Sequence, residues 1–212
     1  SVRREIDATG TMRGMDSFNT RAFEMVSSGT VRRALDLTRE DPKVRDRYKG
    51  VEQFLTARRL IESGVGCVTL AYGGWDTHSS NFKTLKNQLP MLDKGIANLI
   101  QDLHDRGMDK DVAVVAWGEF GRTPRINKDA GRDHWPQVSC ALMAGGGMRT
   151  GQAIGATNRL GEYAVSRPVH VQEIIGTAYH NLGIDVMNTT ISDPTGRPQF
   201  LVDIREPMKE LV

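Results

Sequence analysis

The stretch VAVVAW at residues 112–117, followed at once by GEFGRTP at 118–124, decides the fold reading. Six apolar residues, three of them β-branched, end at a glycine and read as an apolar strand. Upstream, Leu92, Ile96, Leu99, Ile100 and Leu103 keep a 3.6-residue period, with Pro90 near the expected first turn and Gly107 as a stop. Before that helix, CVTLAY at 67–72 repeats the strand pattern between glycines. Strand, long helix and strand together predict a βαβ unit and a parallel sheet. The expected fold class is α/β, a mostly parallel sheet flanked by helices.

Further along, Cys140–Ala144 reads as a third strand running into Gly145, Gly146 and Gly147, with a hairpin partner at Gln152–Ile154. A last helix, Val171–Leu182, stops at Gly183, and its face Ile174, Ile175, Ala178 and Leu182 is expected to cover the sheet. The proline-bearing tail reads as an extended strap. Residues 1–50 read as a helical segment with apolar positions at Phe23, Met25 and Val26, then Val31, Ala34 and Leu35. The α/β domain is expected over 51–212, opening with a helix at 51–62 that ends at Ser63-Gly64.

The 212 residues are enough for a core, and 28 basic residues nearly balance 26 acidic ones for a net charge of +2. The basic residues form no stripe, so nucleic acid is not an expected partner. No apolar run approaches the ~20 residues of a membrane span. The start, SVRREIDATG, carries no apolar export segment, so any such signal is expected upstream. Cys67 and Cys140 lie in apolar runs and read as buried thiols.

Chemistry concentrates at the two strand ends, the edge where open α/β sheets bind ligands. Asp76 and His78, in GGWDTH, are two apart, so an extended backbone points both side chains one way. The alternative is a turn in which Asp76 caps the next helix. Glu119 follows VAVVAW by one glycine, either exposed for ligation or neutralised by Arg122. His134, in GRDHWP, is either a ligand or a histidine packed on Trp135. Together Asp76, His78, Glu119 and His134 supply two imidazoles and two carboxylates, a shell for a divalent ion, Zn²⁺ or Mn²⁺ before Ca²⁺ or Mg²⁺. Arg122 and Arg132 suit the oxygens of an anionic substrate, because a guanidinium fork matches phosphate or sulfate. His104, His170 and His180 read as structural, with His170 placed to cap the last helix. The glycines of AGGGMRTGQAIGAT lack a GKS or GKT ending and read as a turn.

These motifs, above all GEFGRTP followed by GRDHWP, together with LTARRLIESGVGCVTL, GGWDTH and VQEIIGTAYHNLGID, resemble the family known as DUF1501, grouped with the alkaline phosphatase and sulfatase-like superfamily. The resemblance covers most of the chain after about residue 20. It implies a doubly wound sheet and a metal-dependent hydrolase acting on a small phosphorylated or sulfated ester. It also implies an extracytoplasmic location, and makes Asp76, His78 and His134 metal ligands. Glu119 then stands where relatives of that superfamily have an Asp, and Phe120 where they have a histidine. A phenyl ring binds no metal, so a complete second zinc site is not implied. The nucleophile of that superfamily comes from an amino-terminal strand, and no such strand is visible before residue 65. The expectation is a carboxyl-terminal part of a longer chain, or a non-catalytic scaffold that keeps the fold.

Overall fold

The computed structural model describes residues 29–212 together with Ser17, Asn19, Thr20, Phe23 and Glu24. Met25 and Val26, two of the expected apolar positions, lie outside the described residues. Helix α1 spans Thr30–Leu35 and buries Ala34, while Leu35 is exposed. Helix α2, Pro42–Arg47, has proline at its first position, and Asp41 accepts the Lys43 amide at 2.7 Å. Helix α3, Glu52–Glu62, falls where expected and is followed by Gly64 at φ 95°.

Contacts divide the chain into two units, one running up to Tyr72 and taking in Met91–Leu99, the other made of Gly73–Pro90 and Ile100–Val212. In the first unit, Tyr48, Val51, Phe54 and Leu55 are buried. Gly95 lies against the Phe54 ring, where a β-carbon would come within 2.4 Å of it. Arg58, fully buried on α3, is paired with Glu40 and with Glu62 at 2.6 Å. Arg59 joins Glu40 at 2.9 Å and donates to the carbonyls of Ala34 and Arg33. One carboxylate therefore ties the turn before α2 to two consecutive arginines of α3.

Helix α4 runs from Asn81 to Asp105, so Pro90 sits in its interior instead of its first turn. Proline offers no N–H to the carbonyl four residues back, and the helix carries that cost. Strand β1, Ala113–Trp117, matches the expected strand. After β2, Gly121–Arg122, and β3, His134–Trp135, comes β4, Ala141–Gly145. β1 pairs antiparallel with β4, Val115 opposite Met143, and β2 pairs antiparallel with β3.

Among the described residues there are four two-stranded antiparallel sheets, no parallel pair, and no strand at Cys67–Tyr72. The parallel βαβ unit is therefore not among these pairings. An apolar β-branched run states a capacity to be extended, whereas its ladder partner is a non-local choice. Cys67 and Cys140, expected to be buried, are both exposed free thiols.

The hairpin expected at Gln152–Ile154 is displaced: β5, Ala156–Thr157, pairs with β6, Ala164–Ser166. Helix α5, Val171–Asn181, begins with His170 accepting the Gln172 amide while Glu173 reaches back to the His170 amide, a capping box. Ile174 packs on a core of Met148, Met208 and Leu211, but Leu182, expected on the covered face, is exposed. The tail is not a plain strap, because β7, Thr190–Ser192, and β8, Pro198–Phe200, form a hairpin. Asp193 closes its turn by accepting the amides of Thr195 and Arg197. No described helix is long and apolar enough to cross a membrane.

The last residues are pinned by Arg167, which meets Glu210 at 2.6 and 3.1 Å and Glu173 at 2.8 Å. Hydrogen bonds from Arg167 pull the Glu210 carboxyl from 4.5 down to about 2. A carboxyl lowered on folding stabilises the fold above its unfolded value and loses that contribution as pH falls through its folded one. Thermal midpoints of the wild type and Glu210→Gln should therefore differ at neutral pH and converge between about pH 4.5 and about pH 2. Parallel melting curves across that window would remove the ion pair from the account.

Candidate metal centre

Residues 118–140 form an excursion tethered at both ends by the β1–β4 pair, and GEFGRTP and GRDHWP lie within it. Backbone bonds fasten GGWDTH to this excursion. Arg132 N donates to Thr77 O at 3.1 Å, Ser80 N to Asp129 O at 3.0 Å and Asn81 N to Ala130 O at 2.9 Å. Ser79 and Ala130 form an isolated antiparallel bridge. Two segments some fifty residues apart are thus held edge to edge by main-chain hydrogen bonds.

Gly131 is what allows the approach. A β-carbon there would lie 1.9 Å from His78 O and 2.0 Å from His78 C. Backbone cannot yield as a side-chain tip can, so Gly131→Ala should push GGWDTH away from GRDHWP and cost about 1–3 kcal/mol. Thermal unfolding measures that cost. An alanine variant as stable as wild type, with unchanged site spectra, would contradict the close packing.

Three of the four expected ligands converge. His134 Nε2 lies 2.9 Å from Asp76 Oδ1, His78 Nε2 lies 3.0 Å from the same oxygen, and the two Nε2 atoms are 3.2 Å apart. The expectation that Asp76 and His78 point the same way is met, and Asp76 turns to the histidines and not to a helix cap. Their side chains keep 69%, 46% and 49% of their surface open for Asp76, His78 and His134, so the cluster faces solvent. The circle through the three atoms has a radius of about 1.8 Å, shorter than bonds of about 2.0–2.2 Å from zinc to nitrogen or oxygen. Asp76, His78 and His134 are thus close enough together that they could hold one divalent ion.

Glu119 does not join them. It is exposed in the turn between β1 and β2, and among the described residues it shares no hydrogen bond or ion pair with the cluster. The single glycine after β1 sets it there, beyond the point where β2 turns back to pair with β3. Phe120 instead packs its ring on His134, with centroids 4.7 Å apart.

Arg122 is drawn inward. Its Nη2 donates to Asp76 Oδ1 at 2.5 Å and to Trp75 O at 3.0 Å, and its Nη1 to Arg132 O at 3.3 Å. It therefore holds a ligand and two loops in place, and these donors are not presented to an incoming anion. Arg132 is a brace: its Nη1 bonds the carbonyls of Thr123 and Pro124, and its guanidinium lies 5.5 Å from the Phe82 ring centre. Hydrogen bonds from His134 and then Arg122 hold the Asp76 carboxyl well below the usual carboxylate range. It is thus charged whenever the imidazoles are free to ligate.

Two residues of the site escaped the sequence reading. Asp133 Oδ1 lies 3.0 Å from His78 Nδ1, and hydrogen bonds from His78 and then Asn127 lower its carboxyl. Asn127 donates to His78 O at 2.9 Å and Asp133 Oδ1 at 3.1 Å, while its own oxygen accepts the amides of Asp129 and Gly131. The turn-forming run NKDAG at 127–131 signals this Asx-type loop. Nothing local signals that it grips a histidine fifty residues away.

Fold and site define a mixed α and β protein with a solvent-open cluster of two histidines and one carboxylate. The chain belongs to the family described as a protein of unknown function (DUF1501), which matches residues 4–212. No curated protein and no solved structure matches it.

Proposed function

We propose that this chain carries the metal centre of a divalent-metal-dependent hydrolase of small phosphate or sulfate esters, of the sulfatase and alkaline phosphatase-like kind, working outside the cytoplasm. The observation that carries the reading is the triangle of Asp76 Oδ1, His78 Nε2 and His134 Nε2 on an exposed face. Three protein ligands with an open position are the arrangement of catalytic zinc sites, whereas structural sites are closed by a fourth. When bound, such an ion lowers the pKa of a water or neutralises charge on an ester oxygen. The chain's own residues hold and orient: Asp76 supplies the negative ligand, the imidazoles the neutral ones, and Arg122 fixes Asp76. Nitrogen and oxygen donors together favour Zn²⁺ or Mn²⁺ over Ca²⁺ or Mg²⁺.

A second reading, a binding scaffold without turnover, is favoured by one observation: both Nη atoms of Arg122 and the Nη1 of Arg132 are bonded to the protein itself. Two measurements separate the readings. Protein reconstituted with Zn²⁺ or Mn²⁺ should retain close to one equivalent, and less than about a tenth of an equivalent would overturn both as metal proteins. With metal bound, turnover of aryl phosphate or aryl sulfate esters supports the hydrolase. Metal without turnover leaves the scaffold.

A further inference from the structure

We propose that Asp133, braced by Asn127, is a positioning residue that fixes His78 with its proton on Nδ1 and so turns the Nε2 lone pair to the ion site. The inference rests on the metal reading of Asp76, His78 and His134. Two carboxylates flank one imidazole, Asp133 at 3.0 Å from Nδ1 and Asp76 at 3.0 Å from Nε2. A neutral ring has one N–H to give, and an ionised carboxylate can only accept. Whichever carboxylate takes that proton decides the site. Donation to Asp76 would place a hydrogen between the would-be ligands and close the triangle to a cation.

The surroundings of each carboxylate settle the competition. Asp76 Oδ1 already accepts from Arg122 Nη2 at 2.5 Å, so it does not depend on an imidazole proton. Asp133 Oδ1 has the Asn127 amide at 3.1 Å and otherwise relies on the imidazole. Asn127 is itself locked, since it also donates to His78 O and accepts two loop amides. The bracing pair therefore holds both the ring's backbone and the acceptor for its Nδ1 proton. Asp133 stands on the far edge of the ring from Nε2, so it acts through His78 and is not a fourth ligand. Carboxylates that orient metal-bound histidines in this way raise ligand basicity and set the tautomer.

The test uses the full 212-residue chain labelled with ¹⁵N-histidine. Two-bond ¹H–¹⁵N correlation of the metal-free protein at about pH 8, where an ordinary imidazole is neutral, should show His78 protonated on Nδ1. In Asp133→Asn the signal should move toward the Nε2-protonated form, and Zn²⁺ or Co²⁺ should bind about 10–100-fold more weakly. Asp133→Glu should restore part of both. A wild-type His78 protonated on Nε2 overturns the inference without any variant. So does Asp133→Asn with the wild-type tautomer and affinity. A wild type that binds no metal fails the metal reading separately, and the wild-type spectrum still judges the tautomer.

Discussion

Replacing Asp76 with alanine should lower the affinity for Zn²⁺ by a hundredfold or more while leaving the fold intact. Zinc bound by four protein ligands is worth about 10–16 kcal/mol at neutral pH, so one ligand of a small set accounts for roughly 3 kcal/mol or more. Asp76 is the only carboxylate in the triangle, and it carries the charge that balances the cation. Its removal also takes away the carboxylate that Arg122 pairs with and leaves a guanidinium beside two imidazoles, which further repels a metal ion. His134→Ala should act in the same direction through loss of a neutral ligand. Glu119→Ala should retain wild-type affinity, because Glu119 stands apart from the cluster. Isothermal titration with Zn²⁺ checks all three. Equal affinities across the series, or a loss with Glu119→Ala alone, would place the metal elsewhere.

Glu40→Ala should destabilise the unit containing α3 by about 3–5 kcal/mol, the range found when one partner of a buried ion pair is removed. Arg58 is fully buried and Glu40 nearly so, and Glu40 also receives Arg59. Without Glu40 the buried Arg58 guanidinium loses one of its carboxylates, and Glu62, which it keeps, is itself partly exposed. Solvation cannot replace the lost partner, so the charge becomes a cost. At roughly 2–4 °C per kcal/mol for a chain of this size, the melting point should fall by on the order of 10 °C. Glu40→Gln keeps an acceptor and should lose less. A fall under about 2 °C for the alanine variant would show that Arg58 finds other compensation.

Helix boundaries were legible because capping is local. His170 at the start of α5 and Gly64 after α3 each act on their own turn. Pro90 misled because proline commonly marks a first turn, yet the amide bonds of Ser80 and Asn81 to the 129–130 backbone start α4 nine residues earlier. The run at 112–117 was recognisable as a strand, but its partner was not. Hydrophobic period reports which face can be buried and is silent on which segment lies beside it. Cys67 and Cys140 fell to the same ambiguity, since burial of an apolar run requires a neighbour that the run cannot name.

The candidate site divides along the same line. Residue chemistry alone selected Asp76, His78 and His134, because two imidazoles and a carboxylate in glycine-broken loops are suited to a cation wherever they meet. It selected Glu119 on equal grounds and passed over Asp133 and Asn127, whose side-chain types fit a turn as well as a site. Distance in the folded chain separated them: the ladder between 77–81 and 129–132, permitted by Gly131, brings Asp133 to the back of His78 and His134 to its front, while the β1–β2 turn leaves Glu119 outside. Sequence determined which atoms are able to bind a metal, since that is a property of each side chain. Tertiary structure decided which of them share one point in space, because backbone pairing across fifty residues obeys contacts that no local pattern contains.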